Sequence, residues 1–160
     1  ALALSRQNLP VLDGTTKGRA RGVAKGGYVL ADAGPDGRST PQVILVATGS
    51  EVALAVTARE RLERAGIPTR VVSMPCREWF DAQPRSYRQR VLPPAVRARV
   101  SIEAGVAQGW REIVGDAGRM VSLDHFGASA DAATLFREFG FTPEAVVSAA
   151  RASLKATKER

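Results

Sequence analysis

The sequence predicts an α/β fold, a three-layer α/β/α sandwich with a mostly parallel sheet of about five strands. From Pro41 onward, apolar strand-like segments alternate with amphipathic helical patterns, and this alternation is typical of a parallel sheet with helices on its faces. The segment "VILVA" at 43–47 is apolar at every position, as expected for a strand covered on both sides. A chain of 160 residues is long enough for one full hydrophobic core and too short for two ordinary domains.

The first elements follow from the turn residues around them. Residues 10–41 are rich in Gly, Pro, Asp and Thr, apart from "GGYVLADA" at 26–33, which predicts one strand. After the central strand at 43–47, Ser50 is the expected N-cap of an amphipathic helix that Gly66 ends. The segment 68–75 predicts the next strand.

Prolines divide the middle of the chain. Pro84 separates two short helices, and Pro93 with Pro94 ends the second, because proline cannot continue a helix. The segment "ARVSIEAG" then predicts a strand, and a short helix follows around Trp110.

A last strand is predicted at 119–127, and two helices close the chain. Ser129 is the expected N-cap of the first helix. Thr142 caps the second, with Pro143 at its first position.

The excess of basic residues raises the question of whether the protein binds nucleic acid. Lys and Arg exceed Asp and Glu by 23 to 16, an excess that nucleic-acid-binding proteins share. These charges are scattered, and we find no basic stripe interleaved with aromatic residues of the kind that stacks bases. We therefore expect solvated surface, including Arg85, Arg88 and Arg90 in a short helix, and no nucleic-acid partner.

The longest nearly apolar run is far shorter than the roughly 20 residues of a membrane helix, and no basic segment precedes the first apolar residues as in a signal peptide. Cys76 is the single cysteine and is expected to be a packing residue in a reducing compartment. We expect a cytoplasmic protein with no membrane partner.

A candidate anion site comprises Gly49, Ser50 and His125. Gly49 and Ser50 form a strand-to-helix turn, where free N–H groups and the helix dipole can hold a phosphate or carboxylate. His125 follows a strand, where α/β folds place ligands. The turn lacks the Gly-x-Gly-x-x-Gly pattern and the Walker lysine. The same residues therefore also fit an ordinary turn and a structural histidine.

Four segments carry a family resemblance. They are "ALALSRQNLPVLDG", "ILVATGSEVALA", "VVSMPCREWFDAQPRSYRQRVLPPAVRARVSIEAGVAQGW" and "HFGASADAATLFREFGFTPEAVV". In order and spacing, they resemble the last quarter of transketolase, and the resemblance covers essentially the whole chain.

The resemblance implies a homodimeric enzyme that transfers a two-carbon ketol unit between sugar phosphates in the pentose phosphate pathway, with thiamine diphosphate and Mg²⁺ as cofactors of the full enzyme. It implies that residues 1–24 are the end of the upstream pyrimidine-binding domain plus a linker, and that residues 25–160 are the C-terminal domain. Arg6, in "SRQN", is then a contact to the substrate phosphate. The partners are the remainder of the subunit, a second copy and sugar phosphates.

The resemblance implies no catalytic, cofactor-binding or metal-binding residue in this chain. "GDAG" at 115–118 is similar to the start of the family's cofactor motif, but the asparagine that should follow is missing, since Asn8 is the only one in the chain. We read "GDAG" as a turn. The chain by itself is expected to be inactive, with a structural or regulatory role.

Two alternatives stay open. The first is a stand-alone α/β module that binds an anionic metabolite at the C-terminal edge of its strands. The second is the C-terminal domain of a related thiamine enzyme, against which "SRQNLP" and "FREFGFT" argue.

Overall fold

The computed structural model describes residues 4–5, 7–12 and 20–159. Its strands are β1 (Tyr28–Ala31), β2 (Val43–Ala47), β3 (Thr69–Ser73), β4 (Arg99–Ile102) and β5 (Arg119–Val121). Its helices are α1 (Ala20–Val23), α2 (Glu51–Arg64), α3 (Arg77–Asp81), α4 (Arg85–Val91), α5 (Arg111–Val114), α6 (Ala132–Glu138) and α7 (Pro143–Lys158).

The five strands form one sheet in the order β1-β3-β2-β4-β5. The pairs β3–β2, β2–β4 and β4–β5 are parallel, and only β1 in the described sheet runs antiparallel, at the edge beside β3. The predicted α/β sandwich with a mostly parallel sheet is confirmed, with β2 at its centre.

The alternation of side chains along β2 builds two cores. Val43, Leu45 and Ala47 pack into one cluster with residues of α2 and α7, whereas Ile44 and Val46 pack into another with residues of α3, α4 and α5. All five side chains are fully buried, because successive residues of a strand face opposite sides of the sheet. The helices therefore form two outer layers around the sheet.

Two predicted helix ends are confirmed. Gly66, with a φ of +74°, follows the end of α2, where glycine adopts the left-handed conformation without cost. At the start of α7, the Thr142 hydroxyl accepts a hydrogen bond of 3.2 Å from the Ala145 N–H, and Pro143 is the first helical residue.

The predicted N-cap at Ser129 is wrong, because α6 begins three residues later. Asp131 caps it, and its carboxylate accepts a hydrogen bond of 2.9 Å from the Thr134 N–H. This hydrogen bond is the largest of several contributions that lower the pKa of Asp131. A carboxylate at Asp131 reaches the free N–H three residues on, which is the usual capping geometry.

The last strand is shorter than predicted. β5 ends at Val121, rather than near residue 127, because its partner β4 ends at Ile102, which pairs with Val121.

No helix in the described part of the chain combines the length and hydropathy needed to cross a membrane.

Candidate functional site at the carboxyl ends of the strands

The parallel strands place four chain segments along one edge of the sheet. β3, β2, β4 and β5 all end there, and open α/β sheets bind ligands at this edge. The predicted residues Gly49, Ser50 and His125 follow two of these strands.

The N-terminus of α2 contains a buried carboxylate of the chain itself. Glu51 is 5% exposed; its Oε1 accepts a hydrogen bond of 2.9 Å from the Ala104 N–H, and its Oε2 accepts one of 3.0 Å from the Ser50 hydroxyl. Ser50 therefore precedes α2, as predicted, but its side chain makes no capping bond. An anion bound at this turn would meet a negative charge already in place.

Two backbone donors at the start of α2 are also engaged. The Glu51 N–H donates to the Thr48 carbonyl at 3.1 Å, and the Val52 N–H donates to the Gly49 carbonyl at 3.4 Å. Gly49 has a φ of +48°, which a glycine adopts readily. The N–H groups of the first two helical residues are therefore paired within the turn.

A second carboxylate at this edge is held in the same way. The Thr48 hydroxyl donates to Glu103 Oε1 at 3.1 Å, and the indole N–H of buried Trp110 donates to Glu103 Oε2 at 2.8 Å. Beside it lies a cavity of about 340 Å³. Its walls include Cys76, whose Sγ lies 3.5 Å from Glu78 Oε2. A carboxylate with donors on both oxygens is held in one orientation.

His125 lies apart from this turn. The side chain is exposed, its Nδ1 lies 2.8 Å from the Phe126 carbonyl oxygen, and its ring packs edge-on against Phe139 at 4.9 Å between centroids. Strand β4 separates β2, which precedes Gly49, from β5, which precedes His125. No contact within the described ranges joins His125 to Gly49 or Ser50, so the combined anion site stays a prediction without a connecting contact.

Arg6 lies outside the described residues. Its neighbour Gln7 lines a cavity of about 520 Å³ together with residues 128–132. Gln7 also lines a second cavity, of about 390 Å³, whose walls include Ser50 and Phe136. The described residues next to Arg6 therefore lie beside α2 and α6.

The described residues contain no cluster of metal-ligating side chains. Over residues 4–5, 7–12 and 20–159, no group of three or more His, Cys, Asp or Glu side chains could hold a metal ion. Asp116 of "GDAG" accepts hydrogen bonds from the Arg97 guanidinium and the Ala117 N–H, both at 2.8 Å. These are the contacts of a turn.

Sequence reasoning missed Glu51, Glu103 and Trp110 as the residues that shape this edge. A signal was available, because Glu51 follows "ATGS" after β2 and Glu103 directly follows β4. Acidic residues that come directly after buried parallel strands lie at the edge where ligands bind.

Comparison with known proteins identifies the family. Residues 26–142 match the family described as "Transketolase-like TK C-terminal domain". A transketolase of Mycobacterium leprae is 60% identical over 149 residues, which are 93% of this chain and 21% of that protein. Transketolase 7 of Craterostigma plantagineum is 51% identical over 94% of this chain and 22% of its own length.

Solved structures agree. The transketolase from Leishmania mexicana superposes with a TM-score of 0.81 and 44% identity over 94% of this chain and 20% of that chain. A mutant transketolase from Pichia stipitis, in complex with xylulose 5-phosphate, superposes with a TM-score of 0.81. It is 38% identical over 97% of this chain and 21% of its own chain. The chain spans about a fifth of the length of the curated relatives it matches. It belongs to the transketolase-like C-terminal domain family.

Proposed function

We propose that this domain works as the C-terminal part of a transketolase subunit, in an enzyme that transfers a two-carbon ketol unit between sugar phosphates. The observation that carries the proposal is the match of residues 26–142 to the family, supported by a mycobacterial transketolase at 60% identity. A structural relative in complex with xylulose 5-phosphate supports sugar phosphates as the substrate class.

In this proposal the domain contributes packing rather than chemistry. The carboxylates of Glu51 and Glu103 at the ligand-binding edge are held by the domain's own donors. His125 Nδ1 faces a carbonyl oxygen, rather than a nucleophile that it could activate. Thiamine diphosphate and Mg²⁺ would bind in other parts of a homodimeric cytoplasmic enzyme, since the described residues contain no group of three or more His, Cys, Asp or Glu side chains that could hold the metal ion.

Arg6 is the proposed substrate contact. A guanidinium group binds phosphate through two parallel hydrogen bonds, and "SRQN" is the segment in which the family resemblance places this contact. A stand-alone anion-binding module at Gly49, Ser50 and His125 is less favoured, because the Glu51 carboxylate lies beside that turn.

A coupled assay with xylulose 5-phosphate tests the proposal. The 160-residue chain alone should give no turnover. In the full-length enzyme, Arg6→Ala should raise KM for phosphorylated substrates by about tenfold or more, with a smaller change in kcat, because a phosphate contact remote from the reacting carbons contributes equally to ground state and transition state.

The matched control is Arg38→Ala, which removes the same charge from an exposed turn and should leave KM unchanged. Turnover by the chain alone would contradict the proposal. An Arg6→Ala enzyme with wild-type KM would contradict the role of Arg6.

A further inference from the structure

The side of the sheet covered by the short helices contains a cavity that the proposed function does not use. It measures about 490 Å³ and lies between α3, α4 and α5, a volume within the range of about 300–1,000 Å³ that small-molecule sites occupy. Phe80, Leu92 and Ile113 supply apolar wall, and the charged side chains on its walls are four arginines and two carboxylates.

Both carboxylates are already paired with one arginine. Arg77 forms ion pairs with Asp81, at 3.3 Å, and with Glu112, and it donates to the Gly109 carbonyl at 2.6 Å. The other three arginines of the cavity have no carboxylate partner among the described residues. Two positive charges are therefore in excess on the cavity wall.

Arg99 is the anchored member of this set. Its guanidinium donates to the carbonyls of Val96 at 2.9 Å, Ile113 at 2.8 Å and Pro93 at 2.9 Å. Burial lowers the pKa of Arg99, because desolvation disfavours the charged form. Carbonyl dipoles hold this charge in position without neutralising it.

Arg88 is the unanchored member. Its Nε is buried and has no hydrogen-bond partner, and neither its guanidinium nor that of Arg85 has a partner among the described residues. A buried donor without an acceptor costs free energy, and such groups are rare in folded proteins. The cavity thus presents guanidinium donors that lack an acceptor.

We propose that this cavity is a binding site for a small phosphorylated anion, held by Arg88 and Arg85 over the fixed charge of Arg99. Phosphate suits the site because its oxygens accept paired hydrogen bonds from planar guanidinium groups. The volume exceeds that of inorganic phosphate, and the apolar wall offers contact to an organic portion. The site lies on the other face of the sheet from α2, the helix that Gly49 and Ser50 precede.

Calorimetric titration of the chain tests this inference with three probes at constant ionic strength. Inorganic phosphate and glycerol 3-phosphate should each bind at one site, with dissociation constants of about 1 mM or tighter. The tighter of the two shows whether the source is free phosphate or a phosphorylated organic molecule. Succinate, which carries two carboxylates, should bind more weakly than both.

Arg88→Gln should weaken binding of both phosphate probes by about tenfold, the loss expected for charge-assisted hydrogen bonds. Arg85→Gln, at a more exposed position, should weaken binding less. Arg151→Gln removes an exposed arginine from α7, in the opposite layer, and should change nothing.

Absence of saturable phosphate binding would overturn the site, as would equal affinities in wild type and Arg88→Gln, or equal losses in Arg88→Gln and Arg151→Gln. Succinate that binds as tightly as phosphate would overturn the ligand class. These measurements use no ketol transfer, so their outcome is independent of the proposed transketolase role.

Discussion

Two regions of this domain contain the groups from which anion sites are built, and they differ in how those groups are used. At the N-terminus of α2, the Ser50 hydroxyl and the Ala104 N–H are both bound to the Glu51 carboxylate. In the cavity under α3–α5, Arg88 and Arg85 have no partner among the described residues. A turn with the right sequence can therefore be closed by its own side chain, while an open site can lack any sequence motif.

The largest expected effect separates Arg99 from Arg88, two of the four arginines of the cavity. Arg99→Met should lower the free energy of unfolding by about 3 kcal/mol, because three carbonyls lose a charged donor at about 1 kcal/mol each. Arg88→Met should leave the free energy of unfolding of the free domain unchanged or raise it by up to about 1 kcal/mol, because a buried donor without a partner is removed. Urea unfolding measures both values.

This pair of variants keeps the charge change constant, since each loses one arginine. A loss in Arg88→Met as large as that in Arg99→Met would mean that Arg88 is anchored within the domain, and the cavity would then contain no open donor.

The next largest effect tests the turn before α2, which the Glu51 carboxylate holds. Glu51→Ala should destabilise the domain by about 2 kcal/mol, because it removes the hydrogen bonds of a buried carboxylate with the Ala104 N–H and the Ser50 hydroxyl, at about 1 kcal/mol each. Glu112→Ala is the control, since its side chain is 75% exposed and its ion pair with Arg77 should contribute no more than about 0.5 kcal/mol. Thermal and urea unfolding compare the two. Equal effects would show that the Glu51 carboxylate does not hold the turn.

The prediction from sequence succeeded where the signal is local. Val43–Ala47 was predicted from its continuous apolar run, and Thr142 with Pro143 from the chemistry of a helix start. It failed where a tertiary neighbour decides the outcome, as at the end of β5, which depends on where β4 stops.

The same limit applies to the candidate sites. Arg88 was expected on the solvated surface, because charge and helical position do not reveal that α3, α4 and α5 line a cavity beside it. Glu51 closes the turn through the Ala104 N–H, 53 residues away in the sequence. No local pattern predicts such a contact.

The smallest expected effect compares two helix starts. Thr142→Ala should lower the free energy of unfolding by about 1 kcal/mol, since its side chain caps α7. Ser50→Ala should lower the free energy of unfolding by only about 0.3 kcal/mol, because its hydroxyl bonds to Glu51 and caps no backbone donor. Unfolding curves of the two variants measure the difference. A larger loss at Ser50 would show that the hydroxyl, rather than the surrounding hydrogen bonds, holds the α2 turn.

The most direct test of the contrast between the closed turn and the open cavity is a ¹H–¹⁵N correlation spectrum of the chain during titration with inorganic phosphate. We expect saturable shifts of the Arg88 Nε–H and of the amides of α4, with Gly49, Ser50 and His125 unchanged. Shifts centred on Gly49, Ser50 and His125, with α4 silent, would contradict it.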